Sequence, residues 1–94
     1  MLLRIVRMDF QQAKVQEFVT FFESVKHEIA NAPGCSHVEL CKDSKIDHVF
    51  YTFSKWDSEE DLERYRHSAL FEKVWSQTKV LFGGKPLAYS LLQG

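Results

Sequence analysis

The chain has 94 residues, 45% of them hydrophobic and 27% charged, with a formal net charge of −1. A chain of this length forms one domain over residues 1–94, buries about two-thirds of its unfolded surface and ends with a modest core. Near-neutral charge without a basic run excludes nucleic acid and anionic membrane surfaces as expected partners, and no apolar stretch approaches the ~20 residues of a membrane span.

Leu2 to Met8 mixes Leu, Ile and Val with Arg4 and Arg7, a strand pattern. The two arginines fall on opposite faces, so one of them is directed inward or at a sheet edge. An inward arginine would stabilise an enolate or phenolate or, more simply, pair with an acid. Charge this early also argues against a signal peptide. Asp9 is placed to cap a helix, with Gln12 as its reciprocal partner in a capping box. Val15, Phe18, Val19, Phe22, Val25 and Ile29 then repeat at i, i+3, i+4 and i+7, the stripe of an amphipathic helix with one buried face. Phe21 lies at its rim, and Pro33-Gly34 stops the helix.

Cys35–Lys42 and His48–Trp56 read as strands of a hairpin turned by residues 43–47. Cys35 and Cys41 are expected roughly 20 Å apart along one strand, too far to bridge, and two reduced thiols fit a cytoplasmic protein. In the second strand Val49, Tyr51 and Phe53 share one face while His48, Phe50, Thr52, Ser54 and Trp56 share the other, and neither face is polar. Ser58 caps a short helix that opens on Glu59, Glu60 and Asp61; Ser68 caps another bearing Phe71, Val74, Trp75, Thr78 and Phe82. Gly83-Gly84 ends that helix, and Pro86 to Leu92 reads as a last strand.

The order β-α-β-β-α-α-β predicts an α+β, ferredoxin-like domain: a four-stranded antiparallel sheet with helices on one face. Helices cover only one face, yet the strands carry apolar side chains on both. The uncovered face is therefore expected to close on a second copy, giving a homodimer.

The run Phe53-Ser54-Lys55-Trp56-Asp57-Ser58-Glu59-Glu60-Asp61-Leu62, with Tyr65, His67-Ser68-Ala69, Phe71 and the turn Pro33-Gly34-Cys35, resembles the signature of the antibiotic-biosynthesis-monooxygenase family. The resemblance extends over about residues 2 to 92. It implies a dimeric α/β barrel and oxygenation of a phenol- or quinol-like substrate without flavin, haem or metal. Such chemistry needs only a site that binds the ring, helps remove a proton and excludes water. No cofactor is expected: G-x-G-x-x-G is missing, and Gly83-Gly84-Lys85-Pro86 lacks the P-loop spacing.

In the family's aromatic-polyketide oxygenases the strand Trp is accompanied by an Asn four residues earlier and a Tyr six later. This chain keeps Trp56 and has Thr52 and Leu62 at those places; Thr52 still offers a hydroxyl. The haem-degrading branch has a Trp and an axial His where Tyr65 and Trp75 stand here, so a haem reading is set aside. Other members carry His at the places of Tyr65 and Leu70.

Of the remaining candidates, His67, at the junction of the two C-terminal helices, reads either as a general base near neutral pH or as a surface or capping histidine. Thr52, Trp56, Tyr65 and Trp75 are assigned to the substrate pocket, the rings as a wall for a flat ligand. His37 and Glu39 share a strand face, but a metal site would need Cys41 or His48 as a third ligand, and none is assigned. His27 is expected in solvent. Three readings follow: a cofactor-independent monooxygenase, a non-catalytic dimeric domain that binds a small hydrophobic molecule, or a dimer whose cleft is filled by Phe50, Trp56 and Trp75.

Overall fold

The computed structural model describes all 94 residues. Strands β1 (Leu2–Asp9), β2 (Cys35–Lys42), β3 (Val49–Trp56) and β4 (Leu87–Leu92) form one antiparallel sheet in the order β2-β3-β1-β4. Helices α1 (Val15–Ala30), α2 (Glu59–Arg66) and α3 (Ala69–Lys79) accompany it, and the element order is the ferredoxin-like one.

The faces follow from register. Leu2, Arg4, Val6 and Met8 of β1 stand opposite Trp56, Ser54, Thr52 and Phe50 of β3, and both sets point toward the helices. Phe18, Phe22, Val25 and Ile29 of α1, all buried, pack with Met8, Phe10, Phe50 and Leu81 as the main core. Leu2, Trp56 and Leu62 make a smaller one beneath α2. Only 15 of 94 residues are buried, so much of the apolar surface stays on the outside. Leu87, Tyr89 and Leu91 on the open face are 48%, 51% and 48% exposed; their register partners Arg7, Ile5 and Leu3 continue that face.

The capping box expected at Asp9 does not form. The Asp9 carboxylate is bonded instead to Nδ1 of His48 at 2.8 Å, and its backbone oxygen accepts from Gly83 and Gly84. Strand pairing thus holds Asp9, a 3₁₀ turn at Gln12–Lys14 follows, and α1 starts only at Val15. The other two caps are present: Ser58 Oγ accepts from the Asp61 amide at 3.2 Å and Ser68 Oγ from the Phe71 amide at 3.1 Å. Gly34, with φ of +83°, makes the turn from α1 into β2; a Cβ there would run into the Asp61 side chain, so glycine is required on both counts. Helix α3 ends at Lys79, short of the expected Phe82, which pairs in a β-bridge with Phe10.

A bulge at Ser36 sets Cys35 opposite Trp56 but His37 opposite Lys55. Cys35 therefore faces the helices with Val38 and Leu40, whereas His37, Glu39 and Cys41 face outward; both thiols are free. No helix is long and apolar enough to cross a membrane.

Candidate functional site

A cleft of about 330 Å³ lies between the sheet and the helices, lined by 19 residues of which 13 are hydrophobic. That size falls at the lower end of small-molecule sites and suits a ligand of one or two rings. Its floor is the helix-facing side of the sheet, with Arg4, Val6, Thr52, Ser54 and Trp56; α2 and α3 supply Tyr65, Phe71, Val74 and Trp75. The cleft stays open because the rings stack along the helices instead of filling it. Trp56 stacks on Tyr65 with centroids 5.1 Å apart, Phe71 stands edge-on to Tyr65 at 5.3 Å, and Trp75 stacks on Phe71 at 6.0 Å.

The four side chains expected in the pocket, Thr52, Trp56, Tyr65 and Trp75, all line this cleft. Phe50, Trp56 and Trp75 do not fill it, which removes the reading of a cleft closed by its own aromatics. Trp56 itself is 1% exposed and donates its indole N–H to Ser54 Oγ at 3.0 Å, so it offers a ring face and no free donor. The Thr52 hydroxyl is bonded to no other protein group, and because no fully buried polar atom lacks a partner, it opens into the cleft. Burial pushes the Tyr65 phenol up to about 12, so it stays protonated near neutral pH.

His67 is placed elsewhere. Its side chain is 81% exposed, it lies 3.5 Å from Glu63 Oε2, and it is not among the lining residues. Helix phase in α2 directs Tyr65 inward, and His67, at the C-cap, is left outside, so the geometry does not bring the expected base to the cleft. No carboxylate, imidazole or thiol lines it. The outward pair His37 Nε2 and Glu39 Oε1 sits at 3.1 Å, but His48 is held by Asp9, and nowhere do three or more His, Cys, Asp or Glu converge.

The lining also includes Ser54, Phe71 and Arg66, which the sequence did not assign to the pocket. Parity along β3 places Ser54 with Thr52 and Trp56, and that signal was available. Arg66 follows from the exact turn geometry after α2, which no spacing reveals. Arg4 is the inward arginine of the two. It donates from Nη1 to Ser90 Oγ at 2.8 Å and takes part in no ion pair, contrary to the simpler expectation of an acidic partner.

The profile of the family described as antibiotic biosynthesis monooxygenase matches residues 1–75. Among solved structures, a conserved protein of Methanosarcina mazei superposes with a TM-score of 0.91 at 17% identity, covering 99% of this chain and 93% of that one. An antibiotic biosynthesis monooxygenase superposes with a TM-score of 0.92 at 13% identity, covering 100% and 99%. A protein of Mycobacterium tuberculosis gives 0.89 at 14% identity, covering 98% and 93%. At such identities the likeness is one of fold. Among curated protein sequences there is no match.

Proposed function

The chain belongs to the antibiotic biosynthesis monooxygenase family, and on that premise we propose that its cleft oxygenates a small phenol- or quinol-like aromatic with dioxygen, the substrate itself supplying the electrons. The observation that carries this reading is the open, aromatic-walled cleft with one free hydroxyl, Thr52, on its floor. Trp56, Tyr65 and Trp75 hold a flat ring, and Thr52 hydrogen-bonds an oxygen on it. An apolar enclosure keeps water from the oxygen adduct. For a phenol the balance is ring C–H plus phenolic O–H plus O₂ giving a quinone and one water: one oxygen atom ends on the ring carbon and the other leaves as water.

The chain's own residues bind, orient and shield the ring in this scheme. With no lining base, the departing protons pass to solvent or leave before the substrate enters. Oxygen-electrode measurements over a panel of phenols, quinols and anthrones test the proposal, with a heavy-oxygen label followed into product. Uptake with label in the product supports it; saturable binding of the same compounds without oxygen consumption rejects it. The missing base favours a second reading, a non-catalytic domain that binds a small aromatic molecule, and that second outcome would establish it.

The open sheet face is proposed to pair with a second copy through Ile5, Phe53, Leu87, Tyr89 and Leu91. Leaving these in water would forgo about 25 cal/mol for each square ångström covered, and a self-complementary contact covers them twice over. Sedimentation at micromolar concentration should give twice the chain mass, and Tyr89→Asp should shift it to monomer. A native chain that sediments as a monomer would refute the pairing.

A further inference from the structure

The cleft contains two charged side chains, Arg4 and Arg66, and both are cations. Arg66 is committed, its Nη1 lying 2.8 Å from Glu63 Oε1. Arg4 is not. One of its five N–H donors goes to Ser90 across the β1–β4 pairing, and no carboxylate lies within ion-pair distance. Ser90 is a neutral acceptor that fixes the guanidinium in place without neutralising it. Burial and the neighbouring Arg66 both push the Arg4 pKa down, and only Glu63 opposes them. A half-buried cation with free planar donors beside an aromatic wall lacks one component, an anion of matching geometry.

We infer that the cleft takes its aromatic ligand as an anion, with the ionised ring oxygen on Arg4 and the ring against the Trp56–Tyr65–Trp75 wall. This rests on reading the cleft as an aromatic site and names the ionisation state it selects. It also explains how a cleft without a lining base serves a reaction that begins from a phenolate: Arg4 lowers the pKa of the substrate, and bulk water takes the proton. An opposite charge in close contact lowers an acid's pKa by about 1–3 units, and the apolar lining opposes part of that. Arg66 and Glu63, the other charged groups facing Arg4, are already paired with each other and largely cancel.

The test uses the full chain with 4-nitrophenol, whose ionisation is visible in its colour and whose nitro group resists oxygenation, beside the uncharged 4-nitroanisole of similar shape. The inference predicts phenolate binding at least about tenfold tighter than the anisole, with the bound phenol titrating about one unit below the free one. Arg4→Gln should remove that preference while the anisole still binds, and Ser90→Ala should weaken it less. Should Arg4→Gln lose its circular dichroism, Arg4→Lys keeps a charge and should retain part of the preference. Equal affinity for both ligands, or an unshifted or raised titration, overturns the inference and leaves the aromatic site standing. Failure of both to bind overturns the aromatic site and the inference with it.

Discussion

At one end of the layer between sheet and helices, Phe10 stacks on Phe18 at 4.1 Å and meets Phe50 at 6.1 Å, and all three are buried. At the other, Tyr65 of α2 stacks on Trp56 of β3 and meets Phe71 edge-on, Phe71 stacks on Trp75 along α3, and a cleft of about 330 Å³ survives beside them. Both ends are rich in rings. The first cluster draws its members from the β1 end, α1 and β3, so the rings converge from three directions and close the space. In the second, Tyr65 of α2 reaches Trp56 on the sheet, but Phe71 and Trp75, one turn apart on α3, find each other along the helix and leave the space beneath them open. Aromatic content alone does not close a core; the directions from which the rings arrive do.

Removing a ring from the closed end should cost most. Phe10→Ala is expected to destabilise by about 3–5 kcal/mol in chemical denaturation, since its buried ring packs against Phe18, Phe50 and Phe82 and does not line the cleft. Trp75→Ala, whose ring already borders the cleft, should cost about 1–2 kcal/mol. Equal costs would break the contrast between the two ends.

Alkaline pH sharpens the same contrast. With the Tyr65 phenol raised to about 12 from an ordinary value of 10.0, full stability is present below pH 10, where folded and unfolded chains both hold the proton. Above that the unfolded chain ionises first, so stability falls as the pH rises toward 12, by about 3 kcal/mol in all. Tyr65→Phe keeps the ring stack and should lose correspondingly less over that window. An identical alkaline slope in the variant would show that Tyr65 is not shielded as described.

Smaller effects lie where the ladder turns. Ser68→Ala removes the hydroxyl that caps α3 and also bonds the Tyr65 carbonyl at 2.6 Å, and about 1 kcal/mol should be lost in thermal or urea unfolding. His67→Ala, one residue away but in solvent, should change stability by less than about 0.5 kcal/mol and leave oxygen uptake and ligand affinity unaltered. A large loss of turnover in that variant would return His67 to the reaction.

The pattern of apolar residues made much of this legible. The α1 stripe, the hairpin, the Ser58 and Ser68 caps and the faces of β3 all follow from periods of 3.6 and 2 and from hydroxyls preceding helical runs. The family resemblance pointed to Thr52 and Trp56, and parity on β3 sets both on the helix-facing side of the sheet, where they line the cleft with Trp75. What failed were assignments that depended on competition. Asp9 suits a cap by type, but a strand partner and His48 claim it. His67 suits a base by chemistry and position in the chain, yet a turn of 100° per residue separates it from the inward Tyr65.

The sequence by itself determined the ferredoxin-like order, which residues of β3 share a face and the presence of apolar side chains on both sheet faces, more than helices on one side can cover. Those are consequences of local periodicity, which each segment carries regardless of its neighbours. Only the tertiary structure decided that Arg4 is the inward arginine and lacks an acidic partner, that the Ser36 bulge sends Cys35 and Cys41 to opposite faces, and that the rings leave a cleft. Each of these depends on which of several competing contacts is satisfied first in three dimensions, and that is settled by strand register and helix placement together.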